Sequence, residues 1–240
     1  MDKKLIVITG ASSGIGKALA LKFSFEGYPL LLLARRVELL NQLNLSNVIC
    51  KSVDVKDFEN FKTAIKEAEE IYGKVDCLIN NAGIMPLDKI YNLDLKTQHD
   101  MIDVNVKGVL NGMNIVLNDM KNSKTGTIIN ISSTAGRWTA ENRTVYNASK
   151  FAVHAIGEQS RRELASYNVR VLTIAPALVD TELISSTKNL EVIQKYGEWK
   201  THLDGGLKPS TVADVIYYAF SLPQNISLKE IVLSATKQPI

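Results

Sequence analysis

The chain is predicted to fold as an open, doubly wound α/β sheet with parallel strands and helices on both faces. Seven short runs rich in β-branched residues or leucine recur along the 240 residues, apolar nearly throughout rather than alternating. Longer segments with helical spacing separate them. A strand covered on both faces needs apolar side chains on both, so continuous apolar runs mark parallel strands, and regular strand–helix alternation marks their crossovers.

In order, the runs are LIVITG, YPLLLLA, NVICKSVDV, VDCLINN, GTIINIS, VRVLTIAP and EIVLS. Among the helical segments between them are GIGKALALKFSFEG, DFENFKTAIKEAEEIYG, KTQHDMIDVNVKGVLNGMNIVLNDM and YNASKFAVHAIGEQSRRELASY. Gly27 and Gly73 stand where two of these helices should stop. Residues 178–209 break the rhythm, with scattered aromatics, two adjacent glycines at Gly205 and Gly206, and no strand. Such a segment reads equally as a mobile cover over a site or as a surface insertion.

With 45% hydrophobic and 22% charged residues, residues 1–240 suit one soluble domain. A net charge of +3 without a run of like charges points away from nucleic acid and from membrane surfaces as partners. The start, MDKKLIVITG, has too short an apolar segment for a signal peptide, and no stretch reaches the roughly eighteen apolar residues of a membrane span. A cytoplasmic location is expected. Cys50 and Cys77 are far apart, and His99, His154 and His202 show neither metal-ligand spacing nor a carboxylate partner in a motif. No metal is expected, and packing or surface positions are the default for the histidines.

TGASSGIG follows the first run directly and opens the first helix. Gly10, Gly14 and Gly16 there permit positive φ and close approach of the backbone to a ligand. The free N–H groups and the helix dipole favour an anion such as a pyrophosphate. A tight turn that simply needs glycine is the plain alternative, but the place of the pattern at the first βα turn favours a dinucleotide.

Four motifs in order, TGASSGIG, NNAG at 80–83, YNASK at 146–150 and IAPALVDTEL, resemble those of the short-chain dehydrogenase/reductase family over nearly the whole chain. The resemblance implies a Rossmann-type, seven-stranded single domain. The cofactor is then expected on Gly10, Ser12, Ser13, Gly14, Ile15 and Gly16, on Asp54 and Val55 after the third strand, and on Asn81, Ala82 and Gly83. Pro176, Val179 and Thr181 are expected at the nicotinamide and phosphate, with Ala177 in place of the usual glycine. Ala34 and Arg35 stand where an NAD enzyme usually carries an acid, which implies NADP(H) in preference to NAD(H), since a guanidinium grips a 2′-phosphate. A solvated helix start is the alternative for Arg35 and Arg36, and a helix cap for Asp54, although Asp57 is better placed to cap.

The chemistry is expected at Ser133, Tyr146 and Lys150. A second Tyr-x-x-x-Lys pair, Tyr196 and Lys200, has Leu183 rather than a serine thirteen residues earlier. Lys150 shares a helix face with Tyr146. Making a phenol a base near neutrality takes about three pK units, or about 4 kcal/mol. A cation about 4 Å away at a dielectric near about 20 supplies that much.

By resemblance, Tyr146 passes a proton to or from the substrate oxygen, Lys150 lowers its pKa and holds the ribose, and Ser133 bonds the carbonyl. Asn105 would steady a water, although a buried helix asparagine bonded to backbone is the plainer reading. Trp138 and Trp199 line a pocket or simply pack.

The implied function is hydride transfer between NADP(H) and a small-molecule secondary alcohol or carbonyl. The ending EIVLSATKQ most resembles the serine and allo-threonine branch, with a broader carbonyl reductase next. An NADP(H)-sensing regulatory protein is the reading from another class, and such proteins typically lose the tyrosine or lysine retained here. A homodimer or homotetramer paired through the fourth and fifth helices is implied as well.

Overall fold

The structure, a computed structural model of the chain, describes residues 3–239. Strands β1 (Leu5–Thr9), β2 (Leu30–Ala34), β3 (Val48–Ser52), β4 (Val75–Asn80), β5 (Thr127–Ile131), β6 (Arg170–Pro176) and β7 (Glu230–Leu233) form one sheet. Their order is β3-β2-β1-β4-β5-β6-β7, and every neighbouring pair is parallel. Each predicted run supplies one strand of a single-domain, Rossmann-like fold. The chain winds outward from β1 to β3, then returns to place β4 on the other side of β1. A crevice opens at such a switch point, beyond the carboxyl ends of the strands.

Alternate residues of each strand serve opposite faces, so both must be apolar. Leu5, Val7, Leu31, Leu33 and Leu78 pack against α3 (Phe58–Tyr72), α5 (Gly108–Ser123) and α6 (Thr144–Leu164). Ile6, Ile8, Leu30, Leu32 and Ile79 pack against α1 (Gly14–Phe25), α2 (Val37–Asn41) and α8 (Pro209–Ser221). Helices α1 and α3 end ahead of Gly27 and Gly73, which take φ of 77° and 79°. Asp57, not Asp54, caps α3 by accepting from the Asn60 amide at 3.1 Å.

Two features depart from the sequence pattern. The long segment KTQHDMIDVNVKGVLNGMNIVLNDM divides into α4 (Leu95–Ile102), a π-helical turn over Asp103–Lys107, and α5. The wide turn carries Asn105 inward, and π turns of this kind often lie beside functional sites. Segment 178–209 has no named strand, but it holds a 3-10 turn (Glu182–Ser186) and a helix, α7 (Leu190–His202), capped by Asn189. Helix α7 buries no residue fully, and Val192, Tyr196 and Trp199 repeat at helical spacing along its half-buried face. The base of the segment is tied by amides, Leu207 donating to Leu178 O and Asp180 donating to Leu207 O, each at 2.9 Å.

Helix α5 lies close on β4 because Gly112 has no side chain. A Cβ there would stand 2.6 Å from Asn80 Oδ1 and 3.2 Å from the Leu78 side chain. Gly112→Ala is expected to destabilise the fold by about 1–3 kcal/mol through overpacking. Urea unfolding measures this, and an unchanged midpoint would mean that the contact yields freely.

Candidate active site

The site begins where β1 and β4 meet. Thr9 Oγ1 accepts the amides of Asn81 at 2.9 Å and Ala82 at 3.0 Å, while Asn81 Nδ2 donates to the Thr9 and Gly10 carbonyls. This clasp presses the TGASSGIG turn onto the NNAG segment. A Cβ on Gly10, where φ is 63°, would lie 2.8 Å from Ala82 Cα, and one on Gly16 would lie 2.2 Å from the Gly10 oxygen. Helix α1 then starts with no side-chain cap and no acid in its first turn. Its first amides and positive dipole end are left for an anion, so these residues fit the pyrophosphate of a dinucleotide.

From this turn a cleft of about 450 Å³ runs along the carboxyl ends of the strands. Gly10, Ser12, Ser13, Gly14 and Ile15 line its floor, and Arg35, Asp54 and Val55 line it beside β2 and β3. Asn81, Ala82 and Gly83, then Pro176, Val179 and Thr181, carry it past β4 and β6. Gly16 and Asn105 are not among the lining residues. Gly16 lies under the loop and permits its fold. Asn105, 1% exposed, stands behind the wall, accepting the Ile84 amide at 2.9 Å and donating to Ile84 O and Ser149 Oγ. These are the bonds of the plainer reading of Asn105, a buried asparagine holding backbone.

Ser133, Tyr146 and Lys150 all line the same cleft. Ser133 leaves β5 in an extended conformation and caps the 3-10 turn at Thr134–Gly136, its Oγ accepting the Ala135 amide at 3.1 Å. Tyr146 and Lys150 project from the first two turns of α6. Lys150 Nζ lies 5.8 Å from the Tyr146 ring centroid and donates to Ile131 O at 2.9 Å. Burial pushes the Tyr146 phenol up to about 12, against a hydrogen bond from Ser133 and the charge of Arg143, which pull it down. Burial pushes Lys150 down to about 8. The expectation that Lys150 brings the phenol toward neutrality is thus corrected for the protein's own groups. Dehydration sets both shifts, and Lys150 is not among the groups that act on the phenol.

The neighbouring Ser132 also lines the cleft, but its hydroxyl is engaged behind it. Ser132 Oγ lies 2.8 Å from His154 Nδ1, and His154 Nε2 lies 3.1 Å from Glu230 Oε1. Arg137 also binds Glu230, donating from Nε at 2.8 Å. His154 therefore has the carboxylate partner that no motif suggested, because β7 brings Glu230 to it from 76 residues away. Asn147 adds bonds to Ala135 O and Trp138 O. Together these ties hold the loop that presents Ser133.

The cleft has further walls that sequence spacing did not reveal. Met85, Arg143, Leu183, Tyr196 and Gln238 line it, and so does Trp199, whereas Trp138 is 48% exposed and outside it. Gln238 comes from the chain end, its Oε1 accepting the Leu178 amide at 3.2 Å. Ala177 needs no glycine, since it does not take a positive φ, and its amide donates to Leu233 O at 2.9 Å. Among the described residues, no group of three or more His, Cys, Asp or Glu is arranged to hold a metal, and no helix is long and apolar enough to cross a membrane.

Comparison with known proteins agrees with this geometry. The family model described as short chain dehydrogenase matches residues 4–191. An uncharacterized oxidoreductase of Listeria monocytogenes is 39% identical over 100% of this chain and 99% of its own length. One from Staphylococcus saprophyticus is 35% identical over 99% and 98%. Among solved structures, a serine dehydrogenase complexed with NADP+ is similar with a TM-score of 0.90 at 26% identity, covering 98% of this chain and 96% of that one. An alcohol dehydrogenase from the archaeon Thermococcus sibiricus complexed with 5-hydroxy-NADP has a TM-score of 0.86 at 27% identity, covering 100% and 99%. With its parallel sheet, its dinucleotide cradle and the tyrosine–lysine helix beside it, the chain belongs to the short-chain dehydrogenase family and is an NAD(P)-dependent oxidoreductase.

Proposed function

We propose that the protein is an NADP(H)-dependent dehydrogenase/reductase that interconverts a small alcohol with its carbonyl, either a secondary alcohol or the hydroxyl of a small hydroxy acid such as serine or allo-threonine. One observation carries the reading: Ser133, Tyr146 and Lys150 converge on the cleft that also contains the glycine cradle. A nicotinamide cofactor held there by the glycine cradle would supply the two-electron chemistry, as hydride acceptor in oxidation and hydride donor in reduction. Ser133 holds the substrate oxygen by donating a hydrogen bond. In oxidation Tyr146 takes the hydroxyl proton as a phenolate, and in reduction it donates that proton as a phenol. Lys150 holds the ribose and hands the proton onward, and Asn105 steadies a relay water from behind the wall.

Arg35 supports the NADP(H) preference. It is exposed, follows β2 directly, forms no ion pair among the described residues and lines the cleft. The NADP+ bound to the similar serine dehydrogenase supports it too. Segment 178–209 is the substrate cover in this reading, since Leu183, Tyr196 and Trp199 face the cleft from it. A cytoplasmic homodimer or homotetramer paired through α5 and α6 completes the proposal, with Leu110 at 40% and Phe151 at 43% exposure on those helices.

Three outcomes test the reading. Tyr146→Phe is expected to fold and bind NADPH while losing nearly all turnover in an assay of nicotinamide absorbance with short hydroxy acids and matched carbonyls. Wild-type turnover by that variant would remove Tyr146 from the chemistry. Because burial holds the phenol high, phenolate is scarce at neutral pH, so kcat/KM for oxidation should rise from about pH 6 to about pH 10. Reduction, which needs the phenol and a protonated Lys150, should fall as pH passes about 8. An oxidation rate flat with pH would contradict this assignment. Arg35→Asp should weaken NADPH binding by about tenfold or more while leaving NADH nearly unaffected, read by fluorescence titration. Equal effects on both cofactors would locate the 2′-phosphate elsewhere.

A further inference from the structure

Four cations line the cleft. Arg35 and Arg36 lie together after β2, and Lys150 is engaged by Ile131 O beside Tyr146. The fourth, Arg143, stands just before α6, three residues from Tyr146, and lines the same cleft. Its guanidinium carbon lies 5.4 Å from the Trp199 ring centroid, and Trp199 in turn packs edge-on against Tyr196. Aromatic support of this kind holds a guanidinium in place while leaving its donors free.

Those donors have no carboxylate partner, for Arg143 forms no ion pair among the described residues, whereas the acids nearby are engaged. Glu141 pairs with Lys89, and Asp180 pairs with Lys200. Glu182 also lines the cleft, but it borders Gly14 and Thr181 and the adjoining hollow with Lys17 and Lys200. The charge of Arg143 reaches both pocket phenols, lowering Tyr146 and Tyr196 against the larger effect of burial. An unpaired, half-buried cation held by an aromatic face thus lies on the wall of the cleft that contains Tyr146.

We infer that Arg143 binds the carboxylate of the substrate, so that the enzyme selects short hydroxy acids and oxo acids over their neutral analogues. The inference rests on the reaction proposed above and adds to it the residue that reads the charge. Helix α6 thereby carries both ends of recognition. Arg143 fixes the acid group, and Tyr146 meets the oxygen to be oxidised or reduced. The short span between them limits the acid to one whose carboxylate lies close to the carbinol carbon. A guanidinium suits this task better than an ammonium because its planar fork matches a carboxylate.

The test compares lactate, glycerate and L-serine with lactamide, glyceramide and L-serinamide, using wild type, Arg143→Gln and Arg143→Lys, each checked for an unaltered melting transition. For at least one pair, wild type should favour the acid over its amide by about 30-fold in kcat/KM, the size of a charge-assisted contact. Arg143→Gln should bring that ratio near one, and Arg143→Lys should restore part of it. A wild type that treats acid and amide alike, or a ratio unchanged in Arg143→Gln, would overturn the inference while leaving the proposed reaction standing. Should no substrate turn over, the proposed reaction itself is in question. Calorimetric titration of the same acids and amides into protein saturated with NADP+ then decides Arg143 separately. Tighter binding of acids that Arg143→Gln abolishes supports it, and equal binding overturns it.

Discussion

The contact on which the rest of the molecule depends is the one between the first βα turn and the segment after β4. Thr9 and Asn81 bind each other's backbone, and Gly10 and Gly16 allow no atom to come between. A side chain at Gly16 would meet the Gly10 carbonyl and the Asn81 amide at once. The close approach brings the two central strands to a common end and leaves the amides of α1 pointing into open space. A cleft for a dinucleotide follows from that geometry before any functional side chain is considered.

Helix α6 then lines the cleft with a phenol and an ammonium. Its first turns carry Tyr146 and Lys150, and Arg143 stands at its start. Its inner face bears Asn147, Ser149 and His154, which bind the loops on either side. The chain from Ser132 through His154 to Glu230 ties the end of β5 to β7, across the sheet edge where Arg137 joins it. The loop that carries Ser133 is thus anchored through the neighbouring Ser132. Such support lets a small hydroxyl act as a positioned hydrogen-bond donor rather than a rotor.

Charge at the site is governed mainly by dehydration. Tyr146 is 5% exposed and Lys150 is 6% exposed, and each is pushed toward its neutral form. The phenol is thereby kept as a proton donor, and the ammonium is held by a backbone carbonyl rather than by a carboxylate. Arg143 differs in being half-buried against an aromatic face, with no ion-pair partner among the described residues.

By itself the sequence determined the strands, the direction of the sheet, the cradle and the tyrosine–lysine pair. These depend on neighbours in the chain: the period of apolar side chains, glycine at a turn, and four-residue spacing on a helix. Seventeen of the nineteen residues named for the site line the cleft, and the two that do not, Gly16 and Asn105, act one layer behind it. The tertiary structure decided what depends on distant residues meeting. Helix α7 carries Val192, Tyr196 and Trp199 at helical spacing, but only its docking over the cleft turns Tyr196 and Trp199 toward the site. The partner of His154 arrives from β7, Gln238 arrives from the chain end, and the height of the Tyr146 pKa is set by how many layers exclude water from it. Local pattern carries no record of such encounters, because burial and charge pairing belong to the folded surface and not to spacing along the chain.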